Sequence, residues 1–120
     1  MLKNLFIVFI GGGLGAALRL LSYFFIPNHN FPYATFFVNI TGSILIGVIF
    51  GLGLRSTYFS EEMKIFLATG LCGGFTTFSA FSAENIGLLQ QGKYFIVALY
   101  IISSVCLALA GTWLGYKIST

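Results

Sequence analysis

The chain has 120 residues, of which 58% are hydrophobic and only 8% are charged. A typical soluble domain is roughly 25% charged, so the composition excludes a soluble globular domain. The formal net charge of +3 is spread along the chain without a basic run, which argues against nucleic-acid binding. The sequence contains no nucleophile–base pair, metal-ligand set or phosphate loop, and Cys72 and Cys106 stand apart. An enzyme is therefore not expected.

Four long apolar segments predict an all-α membrane protein with a single domain, residues 1–120. A helix needs about 20 mostly apolar residues to cross a bilayer. The predicted spans are 4–26, 33–54, 63–89 and 94–116. Short connections rich in proline, asparagine, charge or glycine separate them. Both termini then lie on one side, and the positive-inside rule favours the cytoplasm by a margin small enough for insertion in either orientation.

Small residues recur at four-residue spacing in three of the predicted helices. They are Gly11 and Gly15, then Ser43, Gly47 and Gly51, then Gly111 and Gly115. Small residues on one helix face let membrane helices approach closely, so that van der Waals contact drives their association. The pattern predicts a compact bundle and says nothing about chemistry.

Several polar residues fall inside the predicted spans, where a polar group usually faces protein or water. Arg19 either extends to the membrane interface or places a positive charge beside an aqueous vestibule that attracts anions. Thr35 and Asn39 are four residues apart and share a helix face, where the amide either joins two helices or lines a pathway. Tyr100 and Ser104 share a face in the same way, although a serine hydroxyl can also bond back to its own helix.

The stretch GLCGGFTTFSAFSAE, residues 70–84, predicts an interruption of the third membrane helix. Gly73 and Gly74 are poor helix formers, and the hydroxyls of Thr76 and Thr77 can satisfy backbone groups that an interruption releases. Irregular backbone at membrane depth is tolerated only where it is buried in protein or lines a cavity. A break here would present carbonyls to a cation or amides to an anion. The alternative is a continuous helix with a close-packed glycine pair.

Phenylalanine occupies every third position across the middle of this stretch, and Ser79 lies between Phe78 and Phe81. In most membrane helices such a stripe faces lipid or the protein core. An aromatic ring has a negative face and a positive edge, so ring edges beside hydroxyls can solvate an anion without a net charge that would trap it. Glu84 follows one turn later and either caps such a pathway, pairs with Arg19 or lies near the membrane interface.

Three segments in order resemble the Fluc (CrcB) family of fluoride channels: GGGLGAALR at 11–19, ATFFVNITGS at 34–43 and GGFTTFSAF at 73–81. The resemblance covers essentially the whole chain. It implies a fluoride-selective channel that exports toxic cytoplasmic fluoride passively across the inner (plasma) membrane of a bacterium. It also implies an antiparallel, dual-topology homodimer of four-helix subunits that encloses two pores.

The resemblance assigns the pore to residues already singled out. Phe78 and Phe81 would be the pore phenylalanines whose ring edges contact fluoride, and Asn39 would be a pore-lining amide donor. Tyr100 and Ser104 would start a polar track on the fourth helix. Fluoride is small and strongly hydrated, so the pore must replace its water with donors without holding the ion too tightly to leave.

The resemblance also implies a structural Na⁺ at the dimer interface, coordinated by the backbone carbonyls of Gly73 and Thr76. Arg19 would be the arginine near the anion entrance, and Glu84 the acidic residue that follows the phenylalanines. One departure is Ala108, which stands where some relatives continue the polar track with a second serine. The candidate pore residues are thus Phe78, Phe81, Asn39, Ser104, Tyr100, Thr35, Ser79, Arg19 and Glu84.

Two other functions compete with a channel. A small proton-coupled multidrug exporter also has four spans, but it places its key carboxylate in the first helix. Here the first helix contains Arg19 and no acid, and the only carboxylate within a span is Glu84. A non-transporting assembly subunit would explain the glycines but not the combination of Asn39, the interruption and the phenylalanines.

Overall fold

The computed structural model describes residues 1–120 and contains helices without strands. The elements are α1 (Leu2–Phe25), α2 (Tyr33–Arg55), α3 (Glu61–Lys64), a π-helical segment (Ile65–Cys72), α4 (Gly73–Phe75), α5 (Phe78–Gln90) and α6 (Tyr94–Ser119). Four stretches are long and apolar enough to cross a membrane: Leu2–Phe25, Tyr33–Arg55, Glu61–Gln90 and Tyr94–Ser119. The predicted all-α protein with four membrane helices is confirmed, and the chain is a multi-pass membrane protein. The predicted limits of the spans stay predictions, because the end of a helix does not mark the edge of a bilayer.

The third span, Glu61–Gln90, is the irregular one. Ser60 caps α3 by accepting a hydrogen bond from the amide of Met63 at 3.1 Å. The π-helical segment and α4 then continue the helix, and Gly73 has helical dihedrals of φ −63° and ψ −37°. Extended dihedrals occur at Thr76 (φ −83°, ψ 157°) and Thr77 (φ −151°, ψ 114°), and they separate α4 from α5. The residues outside the helical region are therefore the threonines, whereas the glycine pair before them is helical.

α1 packs against the third span through contacts between backbones. A Cβ atom added at Gly11 would lie 2.7 Å from the carbonyl oxygen of Phe66 and 3.1 Å from Cα of Gly70. One added at Gly15 would overlap the carbonyl oxygen of Leu71. Because only glycine permits this approach, the small-residue face predicted for α1 is confirmed.

α2 packs against α6 in the same manner. A Cβ atom at Gly47 would overlap the carbonyl oxygen of Thr112, and one at Gly115 would overlap the carbonyl oxygen of Ile44. A Cβ atom at Gly111 would lie 2.9 Å from Cγ1 of Ile44. The predicted small residues therefore form the contact on both helices, as expected where close packing rather than water drives association.

Most of the apolar surface faces outward. Only 21 of the 120 residues are buried, so the helices expose far more apolar area than a soluble monomer tolerates. The buried apolar cluster lies where α5 meets α6, and it comprises Phe81, Leu88, Val97 and Tyr100. This cluster positions Phe81 and Tyr100 beside the candidate site.

Candidate functional site

A cavity of about 380 Å³ runs along α2, the end of the π-helical segment, α4, α5 and α6. We call it the groove. Its polar lining is Asn39, Ser43, Thr76, Thr77 and Ser104, and its aromatic lining is Phe78 and Phe81. The groove thus collects side chains from positions far apart in the sequence at the place where the third span leaves the helical region.

Asn39 and Thr77 bond to each other reciprocally. The amide nitrogen of Asn39 donates to the carbonyl oxygen of Thr77 at 3.1 Å, and the amide of Thr77 donates to Oδ1 of Asn39 at 2.8 Å. The side chain of Asn39 therefore replaces the backbone partners that an α-helix would have supplied to Thr77. The second hydrogen on Nδ2 of Asn39 is not used in this pair.

The hydroxyls of both threonines satisfy backbone groups next to the extended residues, as the sequence suggested. Thr76 Oγ1 donates to the carbonyl oxygen of Cys72 at 2.9 Å. Thr77 Oγ1 accepts from the amide of Ala80 at 3.1 Å and so caps the start of α5. Capping of this kind typically contributes about 1 kcal/mol to a helix.

The carbonyl of Gly73 has lost its usual helical partner. In a continuous α-helix this carbonyl would accept from the amide of Thr77, four residues later. That amide donates instead to Asn39. A carbonyl released in this way beside a polar groove is the kind of group that binds a cation at membrane depth.

The two phenylalanines predicted to line a pore differ sharply in exposure. Phe78 is 79% exposed, whereas Phe81 is 9% exposed. Their ring centroids are 5.7 Å apart with planes inclined at 40°. Phe81 also meets Tyr100 edge to face, with centroids 4.8 Å apart, so its orientation is fixed by packing while that of Phe78 is not.

Glu84 accepts hydrogen bonds from two buried hydroxyls. Tyr100 donates to its Oε1 at 2.7 Å, and Thr35 donates to its Oε2 at 2.8 Å. Both donors are fully buried, at 0% exposure. The hydroxyl of Tyr23 lies 3.0 Å from Thr35 Oγ1, and it must be the donor because the Thr35 proton is already used. We call these four residues the glutamate cluster: Tyr100 and Thr35 donate to the carboxylate, and Tyr23 donates to Thr35.

Pairing with Arg19 was one of three roles that the sequence suggested for the Glu84 carboxylate, and the structure contains no such ion pair. The chain has two ion pairs. Lys3 pairs with Glu62 at 2.7 Å, and Lys64 pairs with Glu61 at 2.8 Å. Arg19 is half-buried and belongs to neither. The glutamate cluster satisfies Glu84 with hydroxyls, which explains how an acid is held inside a span without a cation.

Ser104 presents a buried hydroxyl to the groove, and its oxygen has no hydrogen-bond partner. Buried polar groups are usually satisfied, so this hydroxyl is available to a ligand. Ala108 also lines the groove, one turn farther along α6. The lining at this point is therefore one hydroxyl followed by a methyl group.

The predicted site residues fall into three groups. Asn39, Gly73, Thr76, Phe78, Phe81 and Ser104 line the groove. Thr35, Tyr100 and Glu84 form the glutamate cluster next to it. Arg19 and Ser79 line neither, although the hydroxyl of Ser79 lies 3.2 Å from that of Thr77.

Three polar residues of the site were absent from the predicted set, and one of them, Ser43, lines the groove. Thr77 lines the groove and bonds to Asn39, and Tyr23 supplies the outer hydroxyl of the glutamate cluster. Tyr23 lies four residues after Arg19 and eight after Gly15, so it shares the packing face of α1. A tyrosine on that face was the available signal, because a hydroxyl there must find a partner inside the bundle.

Comparison with known proteins gives a consistent result. Residues 6–116 match the family model described as CrcB-like protein, Camphor Resistance (CrcB). The chain is 50% identical to the "Fluoride-specific ion channel FluC" of Flavobacterium psychrophilum, with 98% of each chain covered. It is 46% identical to the protein of the same name from Phocaeicola vulgatus, covering 98% of this chain and 99% of the relative. The chain therefore belongs to the CrcB-like family.

Proposed function

We propose that the chain is a fluoride-selective channel that lets fluoride leave the cytoplasm passively. The observation that carries this proposal is the full-length similarity to relatives named as fluoride-specific ion channels, at 50% and 46% identity. The groove supports it, because its lining offers weak, neutral donors rather than a fixed cation that would trap an anion.

The donors of the groove suit a small, strongly hydrated anion. Ser104 offers a hydroxyl without another partner, and Asn39 has one amide hydrogen beyond its bond to Thr77. Phe78 and Phe81 offer ring edges, which carry partial positive charge. We propose that fluoride exchanges its water for these groups in turn, along a path too narrow for larger halides.

We propose that a second copy of the chain closes the groove in an antiparallel, dual-topology homodimer with two pores. A groove lined by Thr76, Thr77 and Ser104 cannot face lipid, because irregular backbone and free hydroxyls at membrane depth need protein or water around them. Phe78, at 79% exposure, also needs a second wall before its ring can line a pore. The small charge bias between the two ends is compatible with insertion in both orientations.

We propose that Na⁺ stabilises the dimer by binding the backbone carbonyls of Gly73 and Thr76. The residues fit such an ion: both line the groove, and the Gly73 carbonyl is without its helical amide partner. Bound Na⁺ would supply a positive charge that neutralises the carbonyl dipoles. Asn39 meanwhile keeps Thr77 extended and so keeps the carbonyls accessible.

The sodium proposal is tested by thermal unfolding of the purified protein. We expect a higher melting temperature in Na⁺ than in K⁺ or N-methylglucamine at the same ionic strength, because a ligand that binds only the folded state stabilises it. Equal melting temperatures in the three cations would contradict a Na⁺ site.

For the glutamate cluster we propose a role at the end of the fluoride path. Tyr100 bonds to Glu84 through its hydroxyl and packs on Phe81 through its ring, so it links the acid to the groove. Thr35 and Glu84 then continue the polar track, with Arg19 attracting anions from the same end of the bundle. Ser79 would contribute its exposed hydroxyl beside Phe78.

The proposed function is tested by reconstituting the purified protein in liposomes and recording fluoride and chloride efflux with ion-selective electrodes. We expect rapid release of fluoride and retention of chloride. Release of both anions at similar rates would contradict selectivity, and retention of both would contradict a channel. Liposomes without protein give the leak rate.

A proton-coupled multidrug exporter is not favoured. Such a protein needs an exchangeable carboxylate in a substrate site, whereas Glu84 accepts two hydroxyl hydrogen bonds inside the glutamate cluster. A non-transporting assembly subunit would show no selective efflux at all. The same electrode recording separates these two functions from a channel.

A further inference from the structure

A second polar cavity, of about 280 Å³, lies where the connection after α1 meets the turn between α5 and α6. We call it the loop cavity. Its polar lining is Asn28, His29, Asn30, Gln91, Lys93 and Glu84. Only two of its ten lining residues are hydrophobic, so water and ions rather than apolar ligands are its natural contents.

Glu84 joins the loop cavity to the groove. Glu84 is one of the residues that line the loop cavity, and its carboxylate accepts the hydroxyl hydrogen bonds of Tyr100 and Thr35. Tyr100 packs edge to face on Phe81, which lines the groove. The loop cavity, the glutamate cluster and the groove therefore follow one another along the molecule, and the Tyr100–Phe81 contact of the buried apolar cluster lies between the last two.

Lys93 is the only lysine or arginine that lines the loop cavity, and it takes part in neither ion pair of the chain. Its ammonium therefore forms no direct ion pair with a carboxylate. A charge on the wall of a partly enclosed cavity concentrates counter-ions there. Lys93 also offsets the negative charge of Glu84, which would otherwise repel an approaching anion from the same cavity.

We infer that the loop cavity is the mouth of the anion path and that Lys93 draws fluoride into it. This inference rests on the proposed channel function. The competing explanation is that Lys93 serves only the turn, where its carbonyl accepts from the amide of Val97 at 3.1 Å. That bond uses the backbone alone, so a change of side chain separates the two roles.

The test is fluoride efflux by Lys93→Gln, Lys93→Arg and the double variant Lys93→Gln with Gln91→Lys, each reconstituted beside the wild type. At about 10 mM ionic strength, where charges act over about 30 Å, we expect Lys93→Gln to lower the rate about two- to threefold. At about 1 M salt its rate should equal that of the wild type, because screening then acts within about 3 Å. Lys93→Arg should match the wild type at both salt concentrations.

The double variant decides between charge and structure. Gln91 lines the same cavity, so a lysine there returns the charge without restoring residue 93, and we expect the low-salt rate to recover. Equal rates for Lys93→Gln and the wild type at low salt would overturn the inference, as would a loss that neither Lys93→Arg nor the double variant avoids. A wild-type protein that releases no fluoride would overturn the proposed function as well, and so the two failures are distinguishable.

Discussion

The two halves of the third span make their contacts in opposite ways. The first half, through the π-helical segment and α4, meets α1 backbone to backbone: Gly70 packs on Gly11, and a Cβ atom at Gly74 would overlap the carbonyl oxygen of Gly12. The second half, from Thr76 onward, adds to its apolar contacts with α6 a set of hydrogen bonds that involve side-chain amides, hydroxyls and a carboxylate. Backbone-to-backbone packing and the proposed ion path thus lie in different halves of one span.

This division predicts different failures for the two halves. Substitutions that enlarge a residue in the first half should prevent the helices from approaching, because backbone atoms cannot move aside as side chains do. Substitutions in the second half that keep the shape but remove a polar or aromatic group should leave a folded protein that conducts poorly. Each of the following variants tests one side of this comparison.

The largest expected effect is on folding, from Gly15→Ala. The new methyl group would overlap the carbonyl oxygen of Leu71 and approach the amide nitrogen of Phe75 at 2.7 Å. We expect a loss of about 3 kcal/mol of stability, measured as a lower melting temperature and a smaller yield of monodisperse protein. The matched control is Gly13→Ala on the same helix, where a Cβ atom meets nothing within 4 Å. Equal melting temperatures for the two variants would contradict the packing account.

Asn39→Ala should destabilise the protein through the second half of the span. It leaves the amide and carbonyl of Thr77 without their partners, and each unsatisfied buried group costs about 1–3 kcal/mol. We therefore expect a loss of about 2 kcal/mol or more in thermal or denaturant unfolding, together with lower fluoride flux. Asn4→Ala, at the exposed start of α1, is the control. If Asn39→Ala melted like the wild type, the extended conformation of Thr76 and Thr77 would not depend on Asn39.

Phe78→Ile and Phe81→Ile should each impair fluoride flux while leaving the proposed dimer assembled. Isoleucine keeps an apolar side chain but removes the ring edge. We expect efflux to fall about tenfold, the factor that corresponds to 1.4 kcal/mol. The control is Phe24→Ile, because Phe24 has the same 79% exposure as Phe78 but lies outside the groove. If Phe24→Ile reduced efflux as much as Phe78→Ile, a general effect of exposed rings would replace the proposed one.

The smallest effect is expected from Tyr100→Phe. This change keeps the ring against Phe81 and removes only the hydroxyl that donates to Glu84. We expect efflux to fall about threefold, within the range of one hydrogen bond, with size-exclusion behaviour unchanged. Tyr94→Phe on the same helix, where the ring is 69% exposed, serves as the control. Unchanged efflux in Tyr100→Phe would remove the hydroxyl from the proposed path.

Composition and glycine spacing were sufficient to predict the helices and the faces on which they pack. A chain that is 58% hydrophobic must satisfy its backbone internally, and in helices long enough to cross a membrane, small residues at four-residue spacing share one face. Because the membrane allows so few backbone structures, the spacing of the glycines alone predicts helix–helix contacts at Gly11, Gly15, Gly47 and Gly115.

The interior of the third span was harder to predict. Gly73 and Gly74 suggested unwound backbone, but both are helical, and Gly74 instead faces the backbone of Gly12. The π-helical geometry of Ile65–Cys72 has no signal in its composition, because wider turns depend on the helix packed against them rather than on propensity. For most of the chain the conformation that residue propensities predict is also the one found in the packed structure, but in the third span the two differ.

The hydrogen-bond partners of Glu84 could not be predicted from the sequence either. Charge alone suggested Arg19, since an acid inside a span usually needs compensation. The structure supplies compensation through Thr35 and Tyr100, which are 49 and 16 residues away. Spacing could show that Thr35 shares a face with Asn39 and Tyr100 with Ser104, but which faces meet is decided by how the helices cross.

The most direct test of the proposed path is fluoride efflux by the double variant Phe78→Ile with Phe81→Ile, recorded with a fluoride electrode beside the wild type. Both rings line the groove, so the double variant removes the aromatic part of the lining without touching the glycine contacts. We expect liposomes with the double variant to retain fluoride while the protein elutes like the wild type, with a lower melting temperature because Phe81 belongs to the buried apolar cluster. Fluoride release at the wild-type rate would contradict an ion path between these rings.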